Sequence, residues 1–126
     1  MSAPAILFVT NEPMIPRLTA VMLEQDNVPV YRAETVAEAL QVLAGRNDIA
    51  AVCSEVVLSG ETGIEFYDRL RGEMGKGELP FFFITALNVT SELGRRLRRD
   101  IHCHHLQKPI DPHELANLLR EIVRHD

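Results

Sequence analysis

The chain alternates five short apolar runs with stretches whose apolar residues recur at helical spacing. The first run, Ala5 to Thr10 (AILFVT), is continuous and is closed by Asn11, Glu12 and Pro13, as expected of a strand buried on both faces. Ile15, Leu18, Val21, Met22 and Gln25 then recur at helical intervals. Pro13 and Pro16 fall in a first turn where their missing amide hydrogens cost little, so a helix is predicted near Glu12 to Gln25. Val28 to Arg32 is a short second strand. Thr35 caps a second helix with Val36, Ala39, Leu40 and Leu43 inward, and Gly45 stops it. Ile49 to Ser54 is the third strand. It delivers Glu55 to a small-residue loop, and Gly63 opens a third helix that buries Ile64, Phe66, Tyr67 and Leu70.

Gly72, Gly75 and Gly77 mark the end of that helix and a loose connection. Leu79 to Thr85 is apolar on both faces, as a central parallel strand requires, with Pro80 at its start where no ladder donor is needed. A helix from Ser91 to Arg99, weakened by Gly94, precedes a brief strand near His104 to Gln107 that Lys108-Pro109 breaks. The last helix has Asp111 as its N-cap, Pro112 at the first helical position and Glu114 as capping-box partner, with Leu115, Leu118, Leu119, Ile122 and Val123 inward. Strands and helices alternating through short loops imply right-handed crossovers and a parallel sheet covered on both sides. The class is α/β, one domain over residues 1–126, and a flavodoxin-like or a small Rossmann-like fold fits. Open sheets of this kind build their sites at the carboxyl edge, where Glu55 and Thr85 both fall.

Composition narrows the functions. With 126 residues, 46% hydrophobic and 25% charged, the chain supports a single core. A net charge of -5 argues against nonspecific nucleic-acid binding, though it permits a local basic patch such as Arg95, Arg96, Arg98 and Arg99. Cys53 and Cys103 are too few for a disulfide framework and suit a reduced, cytoplasmic protein. No apolar run approaches the ~20 residues of a membrane span, and the amino end lacks a basic region followed by a long apolar segment, so a soluble, unprocessed chain is expected. Pro13 and Met14 stand where a nucleotide- or flavin-binding domain would carry a glycine-rich phosphate loop. His102, Cys103, His104 and His105 are metal-ligand types, but neighbours on a strand point to opposite faces, so no metal site is expected.

Four segments choose between the folds. VTNEP (Val9 to Pro13), SEVVLSGETG (Ser54 to Gly63), FFFITA (Phe81 to Ala86) and LQKPIDPHEL (Leu106 to Leu115) together resemble the receiver domain of two-component response regulators, over essentially the whole chain. The resemblance implies a flavodoxin-like (βα)5 fold with strand order 2-1-3-4-5. In that family an aspartate ending strand three takes a phosphoryl group from a histidine kinase, and an acidic pair after strand one helps hold Mg²⁺. A Thr or Ser after strand four and a Lys after strand five contact the phosphoryl oxygens. Carried over residue by residue, Thr85 and Lys108 match the hydroxyl and the lysine, Gly63 matches the glycine opening helix three, and His105 stands at the aromatic switch position. Glu55 occupies the phosphoacceptor position, and Thr10 and Asn11 occupy those of the acidic pair, with Glu12 facing outward at the helix start. Leu58-Ser59 replaces the usual Met-Pro.

These departures set the functional expectation. Mg²⁺ demands near-octahedral oxygen ligation and sheds its waters reluctantly, so losing two acids weakens its binding or abolishes it. The extra methylene of Glu55 misplaces its oxygens for in-line attack. What is expected is a signalling module without catalytic turnover, independent of phosphorylation. Glu55 would then be either a fixed charge paired with Lys108 or a partial mimic of the phosphorylated state that biases the loop after strand four. The alternative is a weakly competent phosphoacceptor using Glu55 or Glu61. The implied partners are a histidine kinase or a downstream effector, with the helix four, strand five, helix five face and its arginines as the surface for an effector or a homodimer. His105 is a candidate for titration near neutral pH.

Overall fold

In the computed structural model, which describes residues 4–86 and 89–124, the continuous apolar runs form one parallel sheet. The strands are β1 (Ala5–Val9), β2 (Val30–Ala33), β3 (Ile49–Glu55), β4 (Phe81–Thr85) and β5 (Cys103–Gln107). Between and after them lie α1 (Met14–Leu23), α2 (Val36–Gly45), α3 (Gly63–Gly72), α4 (Ser91–Arg99) and α5 (Pro112–Arg124). The strand order is β2-β1-β3-β4-β5, the flavodoxin-like order expected.

Strand alternation divides the core. Leu7, Val9, Val52, Phe81 and Phe83 face one layer, where Phe66, Tyr67 and Leu70 of α3 and Leu93 of α4 meet them. Ile6, Phe8, Cys53, Phe82 and Ile84 face the other, against Leu23 of α1 and Leu115 and Leu119 of α5. Phe81 and Phe83 stand 4.7 Å apart between ring centroids, and Tyr67 meets both in tilted or edge contact, geometry that adds to burial alone.

Local chemistry moved several boundaries. The first helix begins at Met14, with Pro13 as its N-cap, and passes at Leu23 into a 3-10 turn, Glu24–Asp26, which Asn27 ends in the left-handed region at φ 58°. The second strand starts at Val30 and not at Val28, because Pro29 has no amide to donate; only its carbonyl joins the sheet, accepting from Ile6 at 2.9 Å. β5 gains Cys103, paired with Phe81. Asp111 caps α5 by accepting the His113 amide at 2.9 Å, and a full reciprocal capping box stands on α3 between Thr62 and Glu65.

Asp100, in the turn entering β5, ties three segments together. Its carboxylate accepts from the Tyr67 hydroxyl, from Arg71 Nε at 2.9 Å and from the His102 amide at 2.8 Å. Burial alone would raise the Asp100 pKa, but those donors more than offset it and hold the carboxyl below the usual carboxylate range. With the folded value depressed, the stabilisation is complete above the unfolded carboxylate pKa and is lost as pH falls through the lower folded one. Asp100→Asn is therefore expected to cost about 2 kcal/mol near neutral pH. Urea melts of the two proteins should converge as the pH falls below the depressed folded-state value; a gap that stays equal from neutral to acid pH would refute the charge-assisted role.

Candidate functional site

Sheet register assembles the site. Val9 pairs with Ser54, so Thr10 lies beside Glu55; Glu55 pairs with Ile84, so Thr85 is one step further along; Thr85 pairs with Gln107, so Lys108 follows. Four residues far apart in sequence thus meet at one carboxyl edge. The loop beyond β3 is fixed by backbone bonds: the Val56 amide donates to Ile84 at 3.1 Å and the Gly63 amide to Val56 at 2.8 Å.

At the centre Lys108 Nζ lies 2.7 Å from Glu55 Oε1 and donates to Oε2 at 2.8 Å. The Glu55 side chain is 14% exposed and that of Lys108 39%, so the carboxylate sits in the protein while the ammonium reaches it from the rim. The Thr10 hydroxyl adds a long 3.5 Å donation to Oε2 and accepts the Glu12 amide at 3.0 Å. Among the described residues, removing Lys108 would leave a mostly buried carboxylate with that long bond from Thr10, which costs more than losing an exposed ion pair does. The Lys108 amide donates to the Thr85 carbonyl at 3.0 Å, joining the ends of β4 and β5. Thr85 itself is buried, and the loop beyond it passes through residues 87 and 88, which lie outside the described residues.

The remaining sequence candidates are dispersed. Asn11 is exposed. Glu12 turns to its own helix, accepting the Met14 amide at 2.7 Å and the Ile15 amide at 3.0 Å, where a carboxylate complements the helix N-terminus. Glu61 is engaged by Arg69 through both oxygens, at 2.9 and 3.0 Å. Arg96 does not belong to the open arginine face: it is fixed on Asp68 of α3 by bonds of 2.6 and 3.1 Å, while Arg95, Arg98 and Arg99 stand exposed. His104 stacks on Phe82 at 4.8 Å, and burial lowers its pKa. Beside α5, β5 borders a concavity of about 310 Å³ lined by Leu106, Leu115 and Leu118, whereas the His105 side chain points to the face of α3 and α4, as its pairing with Phe83 dictates. Its Nε2 is buried there with no hydrogen-bond partner among the described residues.

Sequence reasoning missed two features. Arg32, at the end of β2, donates to the Thr10 carbonyl at 3.2 Å and to Glu34 at 2.9 Å, and only the register of β2 on β1 reveals it. The other is a cleft of about 480 Å³ over the Glu55–Lys108 pair, walled by Phe8, Ile15, Pro16, Ile84, Pro109 and Ile110. Its apolar wall comes from Phe8 and Ile84 of the sheet, Ile15 and Pro16 of α1, and Pro109 and Ile110 after β5, and the motifs that contain some of these residues mark the polar pair and not a cavity.

A five-stranded parallel sheet in this order, with its polar cluster at the carboxyl edge, defines a receiver-type signalling fold. Residues 6–120 match the family model of the response regulator receiver domain, and the chain belongs to that family. Over 117 residues it is 33% identical to an uncharacterized 14.6 kDa protein of Leptolyngbya boryana, covering 92% of this chain and 87% of that one. It is 25% identical over 122 residues to a Pyropia yezoensis protein named "Probable transcriptional regulator ycf29", covering 96% of this chain and 54% of that protein, so it spans about half of that relative's length. The fold of the Vibrio cholerae chemotaxis protein CheY4 superposes with a TM-score of 0.77 at 21% identity, covering 94% of this chain and 98% of that one. Among the described residues, no helix is long and apolar enough to cross a membrane.

Proposed function

We propose that this receiver signals without aspartyl phosphorylation, with Glu55 as a fixed charge and output through protein contacts. The observation that carries this reading is the two-point contact of Lys108 with Glu55, at 2.7 and 2.8 Å, at the position where the family places its phosphoacceptor. An ammonium on both oxygens neutralises the one carboxylate at the centre and occupies the approach a phosphoryl donor would need. The residues present also do not fit Mg²⁺. Thr10 offers a hydroxyl that already donates to Glu55 and accepts from an amide, and the Glu12 carboxylate is committed to two helix amides. A small dication that requires several oxygens in octahedral array finds no free carboxylate there.

The test is addition of Mg²⁺ with beryllofluoride, followed by amide NMR, alongside intact-mass analysis after treatment with acetyl phosphate. No saturable shift at Lys108 or Glu55 and no phosphoryl mass increment are expected. Saturable Mg²⁺-dependent change would sink the proposal.

Arg95, Arg98 and Arg99, exposed in an otherwise acidic chain, support α4 as the contact face for an acidic surface on a signalling protein, a histidine kinase or a downstream effector, or on a second copy. The relative named as a transcriptional regulator supports a regulatory setting. Arg95→Glu with Arg98→Glu is expected to weaken partner capture at least tenfold by slowing association, while leaving the melting temperature within a degree or two. Surface plasmon resonance with the purified partner reads this, and unchanged affinity would move the contact face elsewhere.

A further inference from the structure

The cleft above the Glu55–Lys108 pair has the make-up of a binding site for an organic molecule. Its volume of about 480 Å³ lies within the usual range for small-ligand pockets, and its wall is apolar except where the pair and its two neighbours, Thr10 and Glu12, close it. Hydrogen-bonding capacity at that end is uneven. An ammonium has three donors; among the described residues Lys108 hydrogen-bonds Glu55 Oε2 and lies 2.7 Å from Oε1, which leaves donor capacity for a guest. Both carboxylates are already satisfied, Glu55 by Lys108 and Thr10, and Glu12 by the Met14 and Ile15 amides. Two carboxylates against one ammonium leave the site net negative, which repels an anion. A cation would have to break bonds the carboxylates already make. The remaining choice is an uncharged guest that is apolar for most of its length and accepts one hydrogen bond.

We propose that this cleft binds a small, uncharged, predominantly apolar molecule carrying a carbonyl, which packs on Phe8, Ile15, Ile84 and Ile110 and accepts from Lys108. The proposal rests on the phosphorylation-independent reading, since a phosphoryl group held by Lys108 would fill the same space. It also supplies that reading with an input. Pro109 and Ile110 line both the cleft and the concavity between β5 and α5, so an occupied cleft presses on the residues that shape the β5 and α5 surface. A guest thereby bears on the β5 and α5 surface without any chemistry at Glu55.

The probe is 6-propionyl-2-dimethylaminonaphthalene, an uncharged naphthyl ketone whose emission reports polarity. Saturable, blue-shifted emission with the full chain is expected, with methyl NMR shifts at Ile15, Ile84 and Ile110. Lys108→Met keeps the apolar stem and removes the donor, so it should weaken the probe about fivefold, the equivalent of one hydrogen bond. Ile110→Asp should weaken it at least tenfold, and 2-naphthoate should bind more weakly than the ketone. No saturable signal, shifts confined to the exposed Met14, Leu18 and Val21 stripe of α1, or tighter binding of the naphthoate would each overturn the inference. The wild-type methyl shifts decide the matter if a variant fails to fold. A beryllofluoride titration without the probe separates the two proposals. A response there refutes phosphorylation independence whatever the ketone does, and silence in both titrations refutes the ligand site alone.

Discussion

Gly63→Ala should lower stability by about 3 kcal/mol or more, at the upper end of what overpacking costs. A Cβ at this position would lie 2.1 Å from the Glu55 carbonyl oxygen and 3.1 Å from the Val56 Cα. Both neighbours are backbone, so no side chain can turn aside, and either β3 or the start of α3 must move. The Gly63 amide donates to the Val56 carbonyl at 2.8 Å, and that bond holds the two elements close. Because the obstructing oxygen belongs to Glu55 itself, the substitution should also displace the carboxylate from Lys108. Urea denaturation measures the first effect and the Lys108 NMR signals the second. Gly72 is the internal control: at the last residue of α3 it has nothing within 4 Å of an added Cβ and no positive φ, so Gly72→Ala should be neutral or gain up to about 1 kcal/mol. Equal midpoints for Gly63→Ala and wild type would show that the close approach is relieved at no cost.

Gly63 also shows why so much of the fold was legible in the chain. Its position after an apolar run, a small-residue loop and Thr62 reads as strand, turn and capped helix from local rules alone. Strand existence followed from continuous apolar runs such as Phe81–Thr85, since both faces are covered. Strand ends did not follow so closely. Val28 is apolar and buried, but Pro29 after it cannot donate to the ladder, so burial and sheet membership separate at that point. The convergence of Thr10, Glu55, Thr85 and Lys108 came from matching motifs, and the physical cause is parallel register, which a sequence does not display. Side-chain partners across elements were less accessible still. Asp68 on α3 removes Arg96 from the arginine face through a contact 28 positions away, and Glu12 spends its carboxylate on its own helix. The apolar cleft went unseen because its walls combine the margin of one core layer, Phe8, Ile15, Ile84 and Ile110, with residues of three loops, so no single periodicity marks it.

The triple substitution Thr10→Asp, Asn11→Asp and Glu55→Asp should convert a protein proposed to be indifferent to Mg²⁺ into one stabilised by it. Glu55→Asp shortens the side chain by one carbon, about 1.5 Å, which withdraws its oxygens from Lys108 and opens the space a phosphoryl group needs. Alone, that change leaves the edge without ligands for the metal, so Glu55→Asp should remain as silent as wild type toward Mg²⁺ and beryllofluoride. With carboxylates at positions 10 and 11 as well, three like charges share one edge, and without metal the variant should be less stable than wild type by about 1–2 kcal/mol. Mg²⁺ relieves that repulsion and binds only the folded form. At a hundred times its dissociation constant it should return about 2.7 kcal/mol, seen as a melting temperature that climbs with Mg²⁺ in the triple variant and stays flat in wild type. Beryllofluoride should then produce saturable shifts at Lys108 in the triple variant only. If wild type responds, Glu55 is not the fixed charge inferred from its two-point contact with Lys108. If the triple variant stays silent although folded, the apolar wall of Phe8, Ile15 and Ile110, and not the missing acids, is what closes this edge to phosphoryl chemistry.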